Sequence, residues 1–386
     1  MKAIANIVAF PTDSESSPFF GALASVLLPA LGYTENTPYY CGQRGSFCTH
    51  CGRCGDVTDL QKHHLQVYHD YQTLTGVGLG WYWPEDPDTE YQVIQNDGQN
   101  WDWPDDFIGY IMDIAGLTWK RLFRDNGRST LFAEITASID AGLPVLMKLG
   151  TGPDWHVATG YDDSGRLYGL DTHTHWDPFV RPSITPDGYT EEGLFVLSDW
   201  FDLFVDAIVI SGRREPAVKL TDLLEHMIET LARPEHAALK AEIMRRIDRI
   251  GPDNAFETAR WLNERAGFPI EARWHAASCT DSTLSRLTDN ETARQKLFGV
   301  TERYVFDSNP DSTHGICWKI WKQLGVGPET GYALTPHSAE LVGRPETKAE
   351  LKRLFSIVFE NDRIVLGLLR EALAAVQPET GSEHGL

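Results

Sequence analysis

Short apolar runs and helically spaced ones alternate over the first part of the chain. Residues 4–10 form an apolar run broken by Asn6, which predicts a first strand. The stretch Phe19-Phe20-Gly21-Ala22-Leu23-Ala24-Ser25-Val26-Leu27-Leu28 is apolar on nearly every side and meets a stop at Gly32, which predicts a buried helix over 19–31. The His- and Tyr-rich stretch 61–73 has helical character, and helical spacing returns at 104–115 and 130–141. After Gly142 the period changes. Residues 143–149, 156–161, 166–171, 193–197 and 207–210 are short runs divided by Gly, Pro and Asp, and they read as strands. Asp162-Asp163-Ser164-Gly165 supplies the turn of a hairpin between two of them.

From about residue 217 the strand signals stop. Residues 220–231, 236–250, 255–266, 283–297 and 348–375 carry apolar positions at helical spacing. Strands followed by helices predict two domains, 1–214 of α+β type and 215–386 all-helical. Two segments of the first domain fit neither pattern. One is a Gly- and Cys-rich insertion at 40–56. The other is a Trp-rich loop at 80–104 holding Trp81, Trp83, Trp101 and Trp103, long enough to suggest cover over a site or packing onto the core.

Composition changes this picture in three ways. With 386 residues, 42% of them hydrophobic, there is core material for two domains. The 55 acidic residues against 34 basic ones give a net charge of −21, which argues against nucleic acid or an anionic membrane surface as partner. No apolar run approaches the ~18 residues of a membrane span, and the N-terminus, with one Lys and no small-residue cleavage site, reads as a strand and not as a signal peptide.

Four of the six cysteines, Cys41, Cys48, Cys51 and Cys54, fall within 14 residues. Thiolates two residues apart bend back around a tetrahedral ion, and the glycines between them allow the tight turns. The cluster predicts a structural zinc, with an iron–sulfur cluster as the alternative and His50, His63, His64 and His69 as further donors. A cluster of this kind without an export signal points to the cytoplasm. Cys279 and Cys317 read as buried small side chains. His173 and His175, alternating on a strand end, suggest a second metal site or a solvated edge.

Catalytic chemistry is suggested most by His156 and Asp171. If their two runs pair as a hairpin, a strand-start imidazole lies beside a strand-end carboxylate, as a general base and its orienting partner would. The alternative is a His that opens one strand and an Asp that ends another. The runs Gly142-Leu-Pro-Val-Leu-Met147, His156-Val-Ala-Thr-Gly-Tyr-Asp-Asp163 and Leu167-Tyr-Gly-Leu-Asp171 resemble the bacteriocin-processing, double-glycine-leader cysteine peptidases, and more closely the butirosin biosynthesis protein H family. The resemblance implies a papain-like first domain followed by helices, with His156 as base, Asp171 as its partner, and a nucleophilic Cys opening the helix that ends at Gly32. Phe19 stands at the nucleophile's place, and Ser16, Ser17 and Ser25 fall elsewhere.

Three functions follow from these readings. The first is an acyl- or peptidyl-group transferase or hydrolase of the butirosin-H-like kind, acting on a small molecule or peptide in a specialised biosynthetic pathway. The second is a catalytically degenerate papain-like binding protein. The third is a metalloprotein built on the cysteine cluster. The sequence is compatible with a homo-oligomer but does not specify one.

Overall fold

The computed structural model describes residues 1–8, 18–37, 58–80, 103–150, 155–171, 184–263, 268–305, 309–330 and 333–377. The four clustered cysteines, His50, His173, His175, Trp81, Trp83 and Trp101 lie outside them. The protein is α+β, and its described residues divide into two units. One holds those up to Tyr71 and from Trp103 to Val218; the other holds Gln72–Gly80 and those from Lys219 onward. The expected domain boundary at 214/215 compares with a division at Val218/Lys219.

In the first unit, β1 (Lys2–Ala3), α1 (Pro18–Leu31), most of α2 (Asp59–Leu74) and α3 (Asp105–Ala115) precede β2 (Leu117–Phe123) and α4 (Arg128–Asp140). Then come β3 (Val145–Leu149), β4 (Trp155–Tyr161), β5 (Leu167–Asp171), β6 (Gly188–Tyr189), β7 (Phe195–Leu197), the short α5 (Trp200–Leu203) and β8 (Phe204–Arg213). The sheet runs β2-β8-β3-β4-β5-β7-β6, with β1 added to the far end of β4, and every pairing is antiparallel.

Both faces of this sheet are covered. Leu131, Ile135 and Ile139 of α4 pack with Val145, Met147, Ala158 and Ala207 on one face. On the other, α1 crosses β3 and β4. Covered on both sides, β3 has no exposed position, and it is apolar apart from the buried Lys148. The last turn of α1 closes on Gly32, whose φ of +89° suits glycine, while Tyr33 N–H donates to the Leu28 carbonyl at 3.0 Å.

Pattern and structure part company at several elements. Among the described residues of the apolar run at 4–10 there is no strand; β1 lies just before it at Lys2–Ala3, and Ile4 N–H extends the pairing by donating to the Thr159 carbonyl at 2.9 Å. The helix expected over 283–297 is broken: a 3-10 turn spans Leu284–Arg286, and an α-helix starts only at Glu291. Its first residues follow the end of α9 (Phe268–Ser282), and Asn290 caps α10 (Glu291–Tyr304) by accepting from Ala293 N–H at 3.1 Å. Residues 211–216 do not leave the sheet domain at once: Arg214 N–H donates to the Gly116 carbonyl at 2.8 Å, and its side chain pairs with Asp113.

The second unit contains α6 (Leu220–Leu231), α7 (Pro234–Asp248), α8 (Ala255–Leu262), α9, α10, α11 (Thr313–Leu324), α12 (Pro336–Val342) and α13 (Pro345–Val376). Its described residues contain helices and no strand. Ile243, Ile247, Leu262, Ile320, Leu354 and Phe355 belong to one core cluster, with Cys317 inside it. Arg273 is fully buried, donates to the Leu79 and Gly80 carbonyls at 2.8 and 2.9 Å, and pairs with Asp362 at 3.2 Å. Lys240 and the Tyr304 hydroxyl also reach Asp362, so this buried carboxylate is neutralised and hydrogen-bonded.

Candidate functional site

The β4–β5 hairpin is set by its turn. Gly165 has a φ of +81°, and the Asp162 carboxylate accepts from the Ser164 hydroxyl at 2.6 Å, the Arg166 Nε–H at 2.7 Å and the Tyr168 hydroxyl at 2.8 Å. These bonds, that from Ser164 foremost, hold the Asp162 carboxyl well below the usual carboxylate range. Indole N–H of Trp200 donates to the Gly165 carbonyl at 3.0 Å and fastens the turn from outside. A register shift between Ala158 and Gly160 follows, and beyond it His156 stands opposite Asp171.

His156 faces the α4 side of the sheet. It pairs with Met147 and lies two residues from Ala158, both on that side. Its ring is fully buried and meets Phe195 edge-on, with centroids 6.0 Å apart. Phe195 lies across Gly169, where an added Cβ would come within 2.6 Å of the Phe195 ring and 2.3 Å of the Val157 carbonyl. Glycine at 169 therefore makes room for the ring that covers His156.

The start of α1 lies on the other face. Phe19 is 3% exposed and packs against Trp103 at 4.8 Å, Phe20 at 5.2 Å and Trp155 at 5.3 Å between ring centroids. Phe107 stacks on Trp103 at 4.4 Å and completes an aromatic cluster. Trp155 and His156 are neighbours in a strand whose pairing with β3 is regular there, so their side chains project from opposite faces. The expectation that position 19 faces His156 is corrected: the sheet separates them. Trp103 serves as packing for the helix start.

One pairing was not anticipated from the sequence, which offered His64 only as a further metal donor. His64 Nε2 of α2 lies 3.0 Å from both the Gly21 carbonyl and the Ser25 hydroxyl of α1, and Ser25 donates to the Val8 carbonyl at 2.8 Å. A carbonyl only accepts, so Nε2 carries the proton and has no lone pair with which to deprotonate Ser25. The pair is a buried clamp between α1, α2 and the residues after β1. Beside it opens a cavity of about 370 Å³ lined by Ile4, Asn6, Val8, Ser25, Tyr33 and Leu60.

The remaining candidate metal donors of α2 diverge. His63 stacks near Tyr33 with centroids 4.5 Å apart and contacts the Thr37 carbonyl, His64 reaches Ser25, and His69 lies by Tyr68. Among the described residues no group of three His, Cys, Asp or Glu side chains is placed to hold a metal. Cys279 and Cys317 are both buried. No described helix is long and apolar enough to cross a membrane.

No family model, curated protein or solved structure matches this chain.

Proposed function

We propose that the chain is a papain-like, butirosin-H-like protein whose first unit binds a small molecule without thiol-dependent turnover. The observation that carries this reading is the packing of Phe19 at the helix start, where the family resemblance calls for a nucleophile. A phenyl ring attacks nothing, and here it is locked among Phe20, Trp103 and Trp155 on the sheet face away from His156. His156 and Asp171, in this reading, keep their places in the hairpin register as architecture. The cavity beside Ser25 lies on the α1 side, and its volume falls in the range of small-molecule sites, roughly 300–1,000 Å³. The zinc proposed for Cys41, Cys48, Cys51 and Cys54 is structural and leaves the binding role intact.

The test is turnover. The full chain and its His156→Gln variant are incubated with a panel of acyl thioesters and peptidyl anilides, and product release is followed against buffer. The reading expects both proteins to match the buffer rate. Multiple turnovers by the wild type that the His156→Gln variant loses would restore the acyltransferase or hydrolase reading.

A further inference from the structure

The end of α7 and the body of α8, both in the helical unit, enclose a groove of about 450 Å³ lined by Arg245, Arg246, Arg249, Arg260, Glu257 and Trp261. Four guanidiniums converge here in a chain whose net charge is −21. Two carboxylates temper them: Glu242 holds Arg245 and Arg246, the latter at 2.6 Å, and Glu257 holds Arg260 at 2.5 Å. Arg249 is exposed and pairs with no carboxylate among the described residues.

Part of this arrangement has a local cause. Arg245, Arg246 and Arg249 stand at the C-terminal end of α7, where cations complement the helix dipole. That argument does not reach Arg260, which comes from the next helix and lines the same space. Nor does it explain the fixed orientations. Glu242 anchors two guanidiniums, and Arg246 lies over Trp261 with its centre 4.2 Å from the ring centroid. The turn between the helices is closed as well, since Asn254 donates to the Arg249 carbonyl at 3.1 Å and accepts from Gly251 N–H at 2.7 Å.

We propose that this groove binds a phosphate-bearing small molecule. Planar guanidinium forks match phosphate oxygens in pairs, and those of Arg245, Arg246 and Arg260 are already oriented by Glu242, Trp261 and Glu257, so less side-chain entropy remains to be lost on binding. The groove has the volume of a small-molecule site, and Trp261 supplies an aromatic wall for the organic part. The acidic remainder of the chain does not cancel the site, because charges beyond the ~8 Å Debye length at physiological salt are largely screened.

Titration calorimetry on the full chain at physiological ionic strength tests this, with inorganic pyrophosphate and with ADP as separate probes. At least one probe should bind saturably with a dissociation constant below about 1 mM. Arg249→Gln and Arg260→Gln should each weaken it by about tenfold, as expected for losing one charge-assisted hydrogen-bonding partner. The double variant should abolish binding. Both side chains are exposed, and an unchanged circular dichroism melt confirms that the variants are folded. Absence of binding by both probes, or binding that the folded double variant retains, overturns the proposal.

Discussion

The rings of Phe19 and Trp155 meet edge to face, 5.3 Å apart and at 74°, on the side of the sheet that His156 does not face. This contact joins the start of α1 to β4 and fills the place at which a helix-borne nucleophile would approach the sheet. It gives the helix start a packing role.

Phe19 should therefore behave as a core residue. Phe19→Ala removes a ring held by Phe20, Trp103 and Trp155 and leaves a cavity, at a cost of about 3–5 kcal/mol. Urea unfolding followed by tryptophan fluorescence measures it. A loss below about 0.5 kcal/mol, the level of an ordinary surface change, would show that the ring is not packed.

The helical unit should lose stability in mild acid. Burial, helped by the nearby Arg273 charge, lowers the pKa of His236 to about 3, and burial lowers that of His275 to about 3. Both are neutral in the folded chain at neutral pH, whereas the unfolded chain takes up their protons below about 6.5. The unfolded state thus binds more protons between about pH 6.5 and 3, and stability falls as pH drops through that window. The slope should approach about 1.4 kcal/mol per pH unit for each histidine well below pH 6.5. Unfolding free energies at pH 7, 6 and 5, with and without His275→Gln, should show a shallower slope in the variant. Equal slopes would mean that His275 titrates normally.

The spacing of Cys41, Cys48, Cys51 and Cys54 predicts about one zinc per chain. Elemental analysis of protein purified without added metal should find it, and four thiols should become titratable only after chelation. Under a tenth of an equivalent of zinc or iron, with those thiols reactive from the start, would remove the metal from the account.

Much of the fold is legible in the sequence, and the reasons are local. The Asp162–Gly165 turn announces the hairpin, and the hairpin puts His156 opposite Asp171. The helix of 19–31 is readable from its apolar run and from Gly32. Sheet-face assignment is not readable, because β3 and β4 are buried on both sides and their apolar pattern has no period of two to mark the face α1 covers. β2 escaped notice because Trp119, Lys120 and Arg121 interrupt its apolar ends, and only the structure shows Arg121 paired with Asp206 across the sheet. The arginine groove was out of reach for a related reason: it forms only where α8 brings Arg260 and Trp261 to the same space as Arg245 and Arg246.

The central claim is that position 19 and His156 lie on opposite faces of the sheet, and a thiol placed at position 19 tests it most directly. In a Phe19→Cys variant, alkylation of that residue is followed against pH by peptide mapping, with and without His156→Gln. The account predicts slow labelling of a buried thiol, a pH dependence no more acidic than that of an ordinary cysteine near ~8.5, and no change on His156→Gln. Rapid labelling well below neutral pH, abolished by His156→Gln, would place the thiol beside the imidazole and contradict the account.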